Sequence, residues 1–128
     1  MKNEGRILLV DDEPDIAFAL SIGLEDNGFV VDAFNDPLLA LEAFKEKKSY
    51  DLALLDIKMP KMNGFELFKE IRKVNDKVKV CFATAFDIQK EEEDLKALEA
   101  SNEKPIIIRK PISIDDLVKR VKMEIGDS

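Results

Sequence analysis

Short apolar runs alternate with amphipathic stretches along the whole chain, and this alternation restricts the fold more than any other feature of the sequence. Runs of β-forming residues separated by helical patterns are typical of βα units, which build a parallel sheet. We count five such units, so the sequence predicts an α/β protein with a five-stranded parallel sheet. The 128 residues have the length of one ordinary domain, and we expect a single domain over residues 1–128.

Polar residues follow four of the apolar runs. These residues are Asp11-Asp12, Asp56, Thr84 and Lys110. In open α/β sheets, ligands bind in the crevice outside the carboxyl ends of the strands, so parallel strands would bring three carboxylates, a hydroxyl and an ammonium group to one edge. Each residue taken alone has an ordinary explanation as a helix cap, a strand end or a surface charge. Their joint placement favours a functional site.

Composition restricts the chemistry of such a site. The chain has no histidine and a single cysteine, Cys81, inside an apolar run, which excludes His-ligated metals, imidazole catalysis and an intrachain disulfide. The net charge of −7 argues against nucleic acid as a direct ligand, because binding to a phosphate backbone needs clustered Lys and Arg. No apolar stretch approaches the roughly 20 residues that span a bilayer, and the start has no signal-peptide pattern. We therefore expect a cytoplasmic protein with no direct nucleic-acid or membrane partner.

Carboxylates remain as the chemical groups of the site. Three of them close together would raise one another's pKa unless a cation lay among them, and Mg²⁺ is the simplest candidate because it prefers oxygen ligands. Asp56 is our candidate nucleophile, to be converted to an aspartyl phosphate, because it follows a strand and precedes an open loop. Thr84 would donate its hydroxyl to one phosphoryl oxygen, and Lys110 would pair with another.

The ordered set of motifs resembles the receiver domain of two-component response regulators, and the resemblance covers nearly the whole chain. The matching segments are Asp11-Asp12, Asp56 with Met59-Pro60 and Gly64 after it, Thr84-Ala85 and Lys110-Pro111. The resemblance implies a flavodoxin-like (βα)5 domain with a doubly wound five-stranded parallel sheet, strand order 2-1-3-4-5. It also implies Mg²⁺ bound by Asp11, Asp12, Asp56 and the main-chain carbonyl of Lys58.

A signalling role follows from the same resemblance. Asp56 would receive a phosphoryl group from a histidine kinase or a histidine phosphotransfer protein in a Mg²⁺-dependent reaction, and protein contacts would transmit the signal. The chain would be no turnover enzyme, since it would undergo only self-phosphorylation and autodephosphorylation. The face formed by the fourth helix, the fifth strand and the fifth helix would report the state and provide a surface for self-association.

Two residues associated with the switch depart from the family pattern. The family usually has an aromatic residue three positions before the lysine, and this chain has Ile107 there, so we expect no aromatic coupling between Thr84 and the output face. Phe86 is bulky and lies two residues after Thr84, and we expect it to shield the site from water. The fourth helix, expected over residues 87–99, has a thin apolar stripe beneath many charges.

Three alternatives are left open. A phosphohydrolase of the haloacid dehalogenase type also has an Asp at a strand end, but it needs a second acid two residues later, where this chain has Lys58. An interaction module that works without phosphorylation would keep the fold, and Ile107 keeps this possibility open. A nucleotide-binding protein is the weakest alternative, because no Gly-rich phosphate loop follows the first strand.

Overall fold

The computed structural model describes residues 4–47, 49–85, 96 and 106–126. The strands in these ranges are β1 (Gly5–Val10), β2 (Phe29–Phe34), β3 (Leu52–Asp56), β4 (Lys79–Thr84) and β5 (Ile106–Arg109). The helices are α1 (Pro14–Glu25), α2 (Pro37–Lys47), α3 (Gly64–Val74) and α4 (Ile114–Gly126), so that α4 is the last of the five predicted helices. The helix expected over residues 87–99, apart from residue 96, lies outside the described residues, as does Phe86.

All five strands are parallel and lie in the order β2-β1-β3-β4-β5, which confirms the predicted sheet and its strand order. The chain runs from β1 outward to β2 and then crosses to β3 on the other side of β1. The register pairs Val10 with Leu55, so the residues that follow them, Asp11 and Asp56, lie side by side at the carboxyl edge. This crevice, where the strand order reverses, is where a doubly wound fold binds its ligands.

Helices cover both faces of the sheet, and alternate strand residues face the two layers. On one face α2 and α3 pack against residues such as Leu8, Leu55 and Phe82. On the other face α1 and α4 pack against residues such as Leu9 and Leu54. The central strands are buried on both sides, as expected for a parallel sheet. None of the described helices has the length and apolar character needed to cross a bilayer.

Local signals fix where the helices begin. Pro14 is the first residue of α1, where its missing N–H costs nothing. Asp36 precedes α2 and accepts the N–H of Leu38 at 2.9 Å. Asn63 caps α3 through a reciprocal capping box with Glu66. These helix starts place the strand-to-helix loops that precede α1, α2 and α3 over the carboxyl edge of the sheet.

Candidate functional site

Three carboxylates meet at the carboxyl edge of the sheet. Asp11 and Asp12 directly follow β1, and Asp56 is the last residue of β3. One carboxylate oxygen from each residue lies within 4.8 Å of those from the other two, a grouping that could hold a metal ion. Asp11 and Asp56 are 2% and 6% exposed, whereas Asp12 is half-buried and faces the opening. The fold thus brings together the three acids that the sequence selects.

Helix capping explains only part of this acidic pair. The N-cap of α1 is Glu13, whose side chain makes no capping hydrogen bond. Oδ1 of Asp11 accepts the N–H of Glu13 at 3.0 Å, while Oδ2 of Asp11 is paired with the ammonium group of Lys110. Only one oxygen of Asp11 therefore serves the helix, so capping alone does not account for the acidic pair.

Lys110 brings a positive charge into the site. Its Nζ pairs with Oδ2 of Asp11 and lies 3.7 Å from Oδ2 of Asp56. The N–H of Lys110 donates to the carbonyl of Thr84 at 2.9 Å, which ties the ends of β5 and β4 together. Lys110 thus places one positive charge beside two of the three carboxylates, and the described cluster of these four side chains has an excess of negative charge.

The electrostatics of Asp56 show this excess. Burial is the largest influence and raises the pKa of Asp56 to about 7; the Lys110 ammonium opposes the rise, and the Asp11 carboxylate adds to it. The N–H of Ile57 donates to Oδ1 of Asp56 at 2.8 Å. A carboxyl group with too little positive charge around it is stabilised by a bound cation. Three hard oxygen donors in a chain without histidine fit Mg²⁺ better than zinc or copper.

The loop that follows Asp56 is closed by its own backbone. The N–H of Gly64 donates to the carbonyl of Ile57 at 2.8 Å, and a Cβ at Gly64 would lie 2.3 Å from the carbonyl oxygen of Asp56. No side chain fits at that position, so glycine is required by the close approach of the backbone. Lys58 lies in this loop, two residues after Asp56, and its carbonyl as a metal ligand stays a prediction.

The structure describes two of the three predicted switch residues. Thr84 ends β4, is 2% exposed, and stands one residue beyond Ala83, the register partner of Asp56. Ile107 is half-buried on β5 beside Phe82 and packs against the layer formed with α2 and α3. Thr84 therefore lies at the site, and Ile107 lies in a sheet position next to it. The roles of both residues stay predictions.

Sequence reasoning missed an ion pair beside the site. Nζ of Lys61, in the loop after β3, lies 2.9 Å from Oδ2 of Asp36, in the loop after β2. The two residues are 25 positions apart, and only the folded sheet brings their loops together. The sequence carries no local pattern that joins them.

Comparison with known proteins points to one family. Residues 7–122 match the family model of the response regulator receiver domain. A transcriptional regulatory protein of Haemophilus influenzae, a CpxR homologue, is 49% identical over 80 residues, which are 62% of this chain and 34% of that protein. A receiver domain protein from Methanospirillum hungatei superposes with a TM-score of 0.83 at 28% identity, covering 96% of this chain and 94% of the other. The response regulator TrrA of Thermotoga maritima, in complex with Mg²⁺-BeF, gives a TM-score of 0.79 at 32% identity, covering 94% and 98%.

The chain spans about half the length of further curated relatives that it matches. Several of these relatives are named transcriptional regulatory proteins. The expectation that nucleic acid plays no part is therefore not supported. The net charge of −7 describes these 128 residues alone and says nothing about segments that lie outside them.

Proposed function

The chain belongs to the response regulator receiver domain family, and we propose that it accepts a phosphoryl group on Asp56 in a Mg²⁺-dependent reaction. The proposed donor is a histidine kinase or a histidine phosphotransfer protein, and the phosphorylated state is read through protein contacts. The observation that carries this proposal is the carboxylate cluster, in which Asp56 is fixed by a buried strand and lacks sufficient positive charge. The family is one of signalling domains, so we propose a phosphoacceptor in the cytoplasm and no turnover enzyme.

The proposed metal site consists of Asp11, Asp12, Asp56 and the carbonyl of Lys58. Mg²⁺ bound there supplies positive charge that offsets the charge growing on the phosphoryl oxygens. The fit rests on three convergent carboxylates and on the raised pKa of Asp56. A divalent cation would reduce the repulsion among the carboxylates and lower the pKa of Asp56.

Three side chains have separate proposed roles in the phosphoryl transfer. Oδ1 of Asp56 is held by the N–H of Ile57, and Oδ2 lies on the side of Lys110, so we assign the attack on phosphorus to Oδ2. A new O–P bond forms while the P–N bond to the donor histidine breaks, and the imidazole keeps the electron pair and takes a proton. Lys110 and the hydroxyl of Thr84 would stabilise the charge on two phosphoryl oxygens.

Reaction with a small phosphodonor tests this assignment directly. The chain is incubated with acetyl phosphate, with and without Mg²⁺, and its intact mass is measured for the wild type and for Asp56→Asn. Asp76→Asn is the matched control, since Asp76 is an exposed acid that precedes β4 at the opposite edge of the sheet. We expect one phosphoryl adduct in the wild type and the control, only with Mg²⁺, and none in Asp56→Asn. An adduct formed by Asp56→Asn at the wild-type rate would remove Asp56 from the role.

One observation favours a second candidate, an interaction module that works without phosphorylation. Ile107 provides no ring at the half-buried position where the family usually has one, so phosphorylation has a weaker route to the output face. In this case the wild type would form no adduct under any condition. Self-association through β5, α4 and the helix expected over residues 87–99 is part of either proposal. It is checked by sedimentation with and without acetyl phosphate.

A further inference from the structure

An ion pair joins the two loops that flank the phosphoacceptor site on the side of α2 and α3. Nζ of Lys61 lies 2.9 Å from Oδ2 of Asp36. Oδ1 of Asp36 accepts the N–H of Leu38 at 2.9 Å at the start of α2. The carboxylate is thus anchored to α2 through one oxygen and holds Lys61 with the other.

The backbone of Lys61 makes this contact unusual. Its φ is 72°, and among the described residues it alone has a positive φ without being glycine. The left-handed region suits glycine or asparagine and is unfavourable for lysine, so the local turn does not explain a lysine here. Hydrogen bonds close the loop around it, from the N–H of Met62 to the carbonyl of Pro60 and from the N–H of Gly64 to the carbonyl of Ile57, each 2.8 Å. The contact with Asp36 is what the lysine side chain adds.

Both partners of the pair connect to the site through the backbone. The carbonyl of Phe34, two residues before Asp36, accepts the N–H of Asp11 at 3.0 Å. Lys61 lies three residues after Lys58, in the loop that carries the proposed carbonyl ligand. The chain of contacts therefore runs from Asp11 through the loop after β2 and across the ion pair to the loop after β3.

We propose that the Asp36–Lys61 pair positions the loop after β3, so that the main chain of Lys58 is held at the metal site. The consequence for metal binding rests on the proposed function, whereas the restraint on the loop does not. The Lys61 side chain is 57% exposed, so the pair contributes little to the stability of the whole fold, and its effect is confined to the loop. Asp36 and Lys61 act as positioning residues and touch no phosphoryl group.

Two neutral substitutions separate positioning from long-range charge. Lys61→Gln removes a positive charge near the site, which by electrostatics alone would strengthen Mg²⁺ binding. Asp36→Asn removes a negative charge, which alone would weaken it, and asparagine still caps α2. Positioning predicts that both variants weaken Mg²⁺ binding, by about two- to fivefold, which is the range of an exposed pair. The double variant should bind no more weakly than either single variant, and Lys61→Arg should bind as the wild type does.

The experiment has two readouts on the full chain. Amide hydrogen exchange of residues 57–64 is measured without metal, and Mg²⁺ alone is titrated while amide chemical shifts are followed. Lys73→Gln is the matched control, because Lys73 is an exposed lysine paired with Glu70 at 2.7 Å within α3, away from this loop. We expect faster exchange in Lys61→Gln and Asp36→Asn and wild-type exchange in the control.

The outcomes distinguish this proposal from the proposed function. Unchanged exchange in the two loop variants, or opposite changes in their Mg²⁺ affinity, would overturn the positioning role. A wild-type chain that binds no Mg²⁺ would overturn the proposed function, while faster exchange in both variants would still support the restraint on the loop.

Discussion

Asp32 and Asp56 are carboxylates in opposite electrostatic surroundings. Asp32 lies on the edge strand β2. Its Oδ2 accepts hydrogen bonds from three groups: the hydroxyl of Tyr50 at 2.6 Å, the ammonium of Lys47 at 3.1 Å and the guanidinium of Arg6 at 3.3 Å. Burial acts to raise the pKa of Asp32, but the hydrogen bonds from Tyr50 and Lys47 outweigh it, and the pKa lies below its ordinary value of 3.8. This carboxylate ties together two strands and the end of α2.

Asp56 is more deeply buried and has less compensation. It shares one ammonium group with Asp11, it accepts a hydrogen bond from the N–H of Ile57, and its pKa is raised to about 7. The opposite pKa shifts show which of the two carboxylates the fold compensates with positive charge and hydrogen bonds. The partners of Asp32 outweigh the effect of its burial, whereas the described partners of Asp56 do not.

Gly64→Ala should give the largest effect, because it breaks the backbone that holds Asp56 in place. The new Cβ would lie 2.3 Å from the carbonyl oxygen of Asp56 and 3.0 Å from Cα of Ile57. We expect a loss of about 3 kcal/mol in the free energy of unfolding, measured in urea, since overpacking against backbone has no flexible neighbour to yield. Gly126→Ala is the control, because among the described residues no atom outside its chain neighbours and its own helix backbone lies within 4 Å of an added Cβ. Equal stability of the two variants would contradict the close approach.

Asp12→Ala should reduce the affinity for Mg²⁺ without unfolding the domain. Asp12 is half-buried at the opening of the site and belongs to the acidic cluster. We expect Mg²⁺ affinity to fall by about tenfold or more, since even an indirect partner of a bound metal has an effect of that size. Titration of Mg²⁺ measures the change, with Asp15→Ala, an exposed acid on α1, as the control. Equal affinity in Asp12→Ala and the wild type would show that the ligands lie elsewhere.

Tyr50→Phe should weaken the hydrogen-bond network around Asp32 and lower the free energy of unfolding by a smaller, pH-dependent amount. The Tyr50 hydroxyl donates to Asp32, and this hydrogen bond helps to lower the pKa of Asp32 below 3.8. A carboxyl group with a lowered folded-state pKa stabilises the fold above its unfolded-state pKa, and this contribution is lost as the pH falls through the folded-state value. We expect Tyr50→Phe to cost about 1 kcal/mol at neutral pH and the difference from the wild type to narrow below pH 3.8. A difference that stays constant with pH would show that the charge of Asp32 is not involved.

The sequence predicts the sheet well because its signals are local. Strands of four to six residues appear as apolar runs, and the polar residues after them mark the carboxyl edge. The Asp11, Asp12 and Asp56 cluster follows from that edge alone, while the strand order came from the family resemblance. The pattern Asn63-Gly64 is typical of a turn, but the structure begins α3 there, because Asn63 and Glu66 form a capping box.

Long-range pairs could not be predicted in the same way. Tyr50 and Asp32 are 18 positions apart, and Lys61 and Asp36 are 25 positions apart. Such pairs form only when particular loops and strands become neighbours in three dimensions. The spacing of residues along the chain does not predict which loops and strands these are. The sequence indicates which acids are present, and only the fold shows which of them are already compensated.

Urea unfolding of Asp56→Asn and Asp32→Asn, without divalent cations and at about pH 8, tests the central contrast most directly. Each substitution removes one charge and keeps the size of the side chain. We predict that Asp56→Asn raises the free energy of unfolding by roughly 1 kcal/mol or more, because it removes a buried charge with too little compensation. Asp32→Asn should lower the same quantity by about 1 to 2 kcal/mol, because it removes the acceptor at the centre of a charged network. A loss of stability in both variants would contradict the claim that Asp56, unlike Asp32, is held short of positive charge.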